Sequence, residues 1–136
     1  MWLFYAILSA FFAGATSILA KIGIQNVNSN LATAIRTTVI LFLAWGIAFA
    51  SGSISGISSI GKKSLLFLII SGLATGASWI FYFKALSLAN ASKVVPIDKL
   101  SIVFSILLAF FILKEAISIK AFIGIVLICI GILMTI

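Results

Sequence analysis

The feature that most limits what this chain can fold into is a succession of apolar runs, each near the length of a bilayer crossing. Trp2 to Ala20 is nineteen residues without a charge. Comparable stretches follow at about 31–50, 64–83, 92–113 and 119–136. A helix that crosses a bilayer needs roughly 20 predominantly apolar residues. The runs are continuous rather than alternating, which argues for helices and against an outer-membrane barrel. With 64% hydrophobic and 8% charged residues, and a mean hydropathy of +1.40, the 136-residue chain has more apolar surface than a soluble domain of this size can hide. The expected fold is therefore all-α: an integral, multi-pass membrane protein with five transmembrane helices in a single domain, 1–136. An odd number of spans puts the termini on opposite sides.

The first run invites comparison with a signal peptide, and Ala13-Gly14-Ala15 imitates a cleavage site. The N-terminus lacks basic residues, however, and the apolar run continues past that site, so it is read as span 1. The net charge of +7 does not point to nucleic acid, because the lysines are scattered among apolar spans, where headgroups or a pathway are the expected neighbours. One cysteine, Cys129, cannot form an intramolecular disulfide and is expected to be a packing residue. Histidine is absent, and Asp98 and Glu115 are the only acids. That composition argues against a metal site, a cofactor and an enzyme.

Small residues recur at helical spacing. Ala6, Ala10, Ala13 and Ser17 share a face of span 1, Gly72 and Gly76 form a GxxxG in span 3, and Gly124 and Gly131 share a face of span 5. Such faces allow close backbone approach, so helix contacts are expected there. Asn28, Ser29 and Asn30 are good helix-starting residues ahead of span 2. Ser51 to Lys63, rich in serine and glycine, reads as a loop. In span 3, Ser71, Thr75, Ser78 and Tyr82 form a polar stripe, continued at its side by Trp79 and Phe83. This stripe lines a pathway or serves interhelical hydrogen bonds.

Span 4 is the least uniform. Its apolar core, Leu100 to Leu113, is fourteen residues, and a full crossing must extend back to Ser92. The extension takes in Lys93, Pro96, Asp98 and Lys99. Charges inside a membrane helix usually face a bundle interior or a water-filled cavity, and a proline tends to kink its helix. Asp98 lies about six residues, or roughly 9 Å, into the span, and Arg36 about five residues, or roughly 8 Å, into span 2 from the same side. Asp98 and Lys99 are expected to diverge by about 100° on a continuous helix, so Asp98 is assigned to Arg36, with Lys99 turned toward a side or the headgroups.

Following the connectivity, Lys21, Arg36, Lys84, Lys93 and Lys99 belong to one half of the membrane, and Lys62, Lys63, Lys114 and Lys120 to the other. Counting connecting loops alone, Lys21 and Lys84 stand against those four, a weak preference for the second half facing the cytoplasm, and the five-to-four balance overall fits a chain that inserts both ways round. A five-span transporter needs a second copy to build a two-sided pathway, and inverted repeats around a midplane site are the common solution. The expected assembly is an antiparallel homodimer, or a pair with another five-span subunit.

Trp79-Ile80-Phe81-Tyr82-Phe83-Lys84-Ala85-Leu86, followed by Ala91-Ser92-Lys93-Val94-Val95-Pro96-Ile97-Asp98-Lys99-Leu100-Ser101, resembles the end of an EamA domain of the drug/metabolite transporter superfamily. So does Leu113-Lys114-Glu115-Ala116 with the glycine-containing last span, and Ala13-Gly14, Ala20-Lys21 and Ala34-Ile35-Arg36 also fit. The resemblance covers nearly the whole chain. It implies half of a ten-helix, inverted-repeat transporter, since typical members carry two such domains, inversely oriented, in one chain. Substrates across that superfamily include amino acids, sugars and nucleotide sugars. The related small multidrug resistance proteins use a glutamate in their first span; here that span has no acid, which argues against a quaternary-ammonium exporter of that type.

The resulting expectation is a secondary transporter for a small metabolite or other small solute, in a bacterial or archaeal cell membrane. No GxxxxGK[ST] motif is present to suggest ATP hydrolysis. The candidate substrate-binding residues are Arg36, Thr75, Ser78, Trp79, Tyr82, Asp98 and Ser101. Each has a plainer reading: Arg36 snorkels to headgroups, Asp98 is an ion-pair partner that fixes packing, and the hydroxyls bond between helices. The alternative for the whole chain is an accessory membrane subunit that packs against another protein and moves nothing itself.

Overall fold

A computed structural model describes residues 1–135. They form α1 (Trp2–Gly23), α2 (Ser29–Ala50), a 3-10 helix (Ser53–Ser59), α3 (Lys62–Leu88), α4 (Ala91–Asp98), α5 (Ser101–Leu113) and α6 (Ile119–Leu133). Three long helices, α1, α2 and α3, and the combined stretch Ala91–Leu113 are long and apolar enough to cross a membrane. The helix α6 is shorter, with 15 residues, or roughly 22 Å at the usual rise.

The helix limits follow from local chemistry. The Asn28 side chain accepts from the Asn30 and Leu31 N–H groups at 2.9 and 3.4 Å and starts α2. Gly52, at φ +69°, supplies the left-handed residue after α2 that a side chain rarely adopts. The stretch expected to be a plain loop then winds into the 3-10 helix, where the Ser55 and Ser59 hydroxyls donate back to the Gly52 and Gly56 carbonyls at 3.0 and 2.7 Å. Ser118 caps α6 by accepting from the Ala121 N–H at 3.2 Å.

Pro96 lies inside α4, one turn before the join with α5. Proline has no N–H to offer the carbonyl four residues earlier, and its ring crowds that carbonyl. Downstream of it the backbone tightens to three-residue bonds: Lys99 N–H to the Pro96 carbonyl at 3.0 Å, Leu100 to Ile97 at 2.9 Å, and Ile102 to Lys99 at 3.0 Å. Where a kink is expected, the span tightens into a three-residue turn at Lys99–Leu100, with both residues still in the right-handed helical region.

The chain divides into two compact units, one of residues 1–18 and 88–136, the other of residues 19–87. In the second, the buried residues Ala20, Ile24, Ser29, Thr33, Phe83 and Leu86 all lie where α1 ends, α2 begins and α3 ends. Lys21 fastens that end, its Nζ donating to the Leu86 carbonyl at 2.6 Å. From Leu41 to Ala50 and from Lys62 to Leu73 nothing is buried. In the first unit Ser17, Val94 and Ile132 are buried, and the Ser17 hydroxyl donates to the Ala13 carbonyl at 2.9 Å. Exposed apolar side chains over most of a helix are what a hydrocarbon solvent allows.

The glycine faces differ from expectation. A methyl group added at Gly72, Gly76, Gly124 or Gly131 would meet no atom within 4 Å. Within one chain these faces are open, not helix contacts.

Candidate functional site

Arg36 belongs to α2 and reaches across to α3. Its guanidinium carbon lies 4.2 Å from the centroid of the Trp79 ring and 5.5 Å from that of Phe83. Trp79 and Phe83 are four residues apart and therefore share a helix face. Tyr82 is half-buried beside them, its ring edge-on to Phe83 at 6.3 Å. A guanidinium over an aromatic face is attracted by the ring quadrupole, by about 2 kcal/mol when desolvated.

The seam between α2 and α3 has two sides. At about 100° per residue, Thr75, Ser78 and Tyr82 fall to one side of Trp79 on α3, and Gly76 and Ile80 to the other. Arg36 lies over Trp79 and Phe83, between the two sides. Opposite the hydroxyl-bearing stripe, Asn30, Thr33, Ala34, Thr37, Thr38 and Leu41 of α2 join Gly76 and Ile80 of α3 around an open groove of about 480 Å³. Its hydroxyls already serve their own helix: Thr33 donates to the Ser29 carbonyl at 2.9 Å, Thr37 to Thr33 at 2.7 Å, and Thr38 to Ala34 at 3.0 Å. Such back-bonding leaves only acceptor capacity facing the groove. Thr75 is satisfied in the same way by the Ser71 carbonyl at 2.9 Å, and Ser78 is exposed.

Asp98 and Ser101 lie in the other unit, on either side of the three-residue turn: Asp98 closes α4 and Ser101 opens α5. Asp98 has its salt bridge with Lys99, Nζ to Oδ2 at 3.3 Å, where Arg36 was the expected partner. The backbone tightens to a three-residue turn here but stays right-handed at Lys99 and Leu100. A long lysine side chain on a turn can then curl back to its neighbour. Both side chains are more than a third exposed, which keeps the pair in the range of exposed ion pairs, about 0–1 kcal/mol.

Arg36, Trp79 and Phe83 are therefore brought together between α2 and α3, with Tyr82 against Phe83, while Thr75 and Ser78 are exposed on α3 and Asp98 and Ser101 flank the turn between α4 and α5. Two features escaped the sequence reading. The stacking of Arg36 on Trp79 was signalled only by an arginine in one apolar helix and aromatic residues four apart in another. The threonine groove was signalled by Thr33, Thr37 and Thr38, whose spacing places them on one face of α2.

Residues 1–136 match the model of the EamA-like transporter family. Over 133 residues the chain is 44% identical to a protein of Sinorhizobium sp described as an uncharacterized transporter in the cobO 3' region, covering 98% of this chain and 94% of that relative. No solved structure matches.

Proposed function

This chain belongs to the EamA-like transporter family, and from that premise we propose that it carries a small solute across a bacterial plasma membrane as a secondary transporter. It is an integral, multi-pass membrane protein. In the proposed assembly each chain contributes five spans, with α4 and α5 together forming the fourth, and two chains insert in opposite orientations. That pairing supplies the inverted repeat around a midplane path that this kind of transport requires. Energy comes from an ion or counter-solute gradient.

The observation that carries this reading is the seam of α2 and α3. It sets the Arg36 guanidinium over Trp79 and opens the threonine-lined groove of α2, a polar wall to which Thr75, Ser78 and Tyr82 are proposed to add their hydroxyls, and polar groups at membrane depth are costly unless they face a path or a partner. Trp79 forms the edge of that wall. Asp98 and Ser101, in the other unit, are proposed as further solute-binding residues at a turn within the fourth span.

The test is a solute screen in proteoliposomes containing only this chain. Flux of at least one small solute is expected, with a marked loss in Arg36→Gln and Tyr82→Phe. If no solute moves at any imposed gradient, while the chain remains folded, the transporter reading fails.

A further inference from the structure

The geometry points to a solute class for this seam: a small, singly charged carboxylate with an apolar body, gripped by Arg36 over Trp79 and Phe83. The inference rests on the transporter reading for its biological sense but not for its physics. The unit that holds Arg36, residues 19–87, contains no aspartate or glutamate. Among the described residues Arg36 makes no hydrogen bond or ion pair; its guanidinium lies over the two rings. A guanidinium has a planar fork of donors that fits a carboxylate with two parallel bonds, and stacking on a ring leaves that edge available.

Snorkelling does not account for the placement. Trp79 lies nine residues before the end of α3 and Phe83 five, so they sit roughly 13 and 8 Å below that end. A snorkelling arginine would move toward the shallower ring. The guanidinium is instead closer to the deeper one, by 4.2 against 5.5 Å.

The charge count selects among anions. The nearest other cation along this end of the unit, Lys21, is engaged by the Leu86 carbonyl, and Lys84 is exposed. One guanidinium matches one negative charge and leaves a phosphate dianion half neutralised. The rings of Trp79 and Phe83 favour an apolar body beside the carboxylate. A lipid phosphate offers the same chemistry to the guanidinium, and the experiment separates the two sources.

Trp2, Trp45 and Trp79 are the three tryptophans, so Trp2→Phe with Trp45→Phe leaves Trp79 as the reporter. The full chain is placed in phosphatidylcholine nanodiscs and titrated with hexanoate at fixed ionic strength. A saturable change in Trp79 emission is expected. Hexylamine should give none, and 6-aminohexanoate and inorganic phosphate should bind at least about tenfold more weakly. Arg36→Lys keeps the charge but not the fork and should weaken hexanoate by about tenfold; Arg36→Gln should abolish the response. If Arg36→Gln does not fold, the lysine variant decides. The inference is overturned if hexanoate binds no better than hexylamine, if phosphate binds more tightly, if the response survives in a folded Arg36→Gln variant, or if Trp79 responds only when phosphatidylglycerol is added to the disc. Flux is measured in parallel. Arg36-dependent hexanoate binding without flux of any solute leaves the site standing and removes the transporter reading. Wild-type flux of an uncharged solute by Arg36→Gln, without hexanoate binding by the native chain, does the reverse.

Discussion

At the scale of single residues, the two charged centres of the membrane region differ in how they are compensated. Arg36 is held by aromatic faces and Asp98 by its chain neighbour. These arrangements predict opposite sensitivities. A double-mutant cycle on Arg36→Gln and Trp79→Leu should give a coupling of about 1–2 kcal/mol in thermal unfolding, the range for a partly desolvated cation over a ring. Additive effects would mean that the ring and the guanidinium merely lie near one another. Asp98→Asn, by contrast, removes one member of an exposed pair and should change stability by less than about 1 kcal/mol. A loss of several kcal/mol would place Asp98 in a buried network that its exposure does not indicate. Gly52→Ala puts a side chain at φ +69° and should cost about 1 kcal/mol, read as a lower melting temperature.

At the scale of elements, the interrupted span is the part with most room to change. Pro96→Ala returns an N–H to the Ser92 carbonyl and removes the ring that crowds it. The amide restored at position 96 should then be protected from exchange by that carbonyl; rapid exchange there would mean that α4 is not a continuous helix at this position. Most of the elements were legible in the sequence. Runs of about twenty apolar residues fixed five stretches, and α2 and α3 differ from the expected spans mainly by added polar turns at their ends: Ser29 and Asn30 at the start of α2, Lys62, Lys63 and the Lys84 turn in α3. What was not legible depends on three-dimensional neighbours. The Asp98–Lys99 pair could not be foreseen from a continuous-helix wheel, because Pro96 gave notice of a kink but not of the tightened turn that follows it. The glycine pairs announced close approach without saying to what. With open space at Gly72 and Gly76 in one chain, Gly→Leu at either position should leave the monomer folded and weaken assembly. Loss of helical content instead would show that the face packs within the chain.

At the scale of the whole molecule, a chain of 136 residues with few buried side chains has most of its apolar surface turned outward. Lipid accounts for part of that surface, and the open glycine faces and the α2–α3 groove provide places where a second copy is proposed to lie. The near balance of basic residues between the two halves gives the bilayer little reason to prefer one orientation. The proposed path therefore depends on two copies inserted head to tail. Labelling of a C-terminal tag from each side of sealed membranes, with this chain expressed alone, tests that most directly. The account predicts comparable fractions of C-termini on both sides. C-termini confined to one side, in membranes where the chain still transports without any oppositely inserted partner, would contradict it.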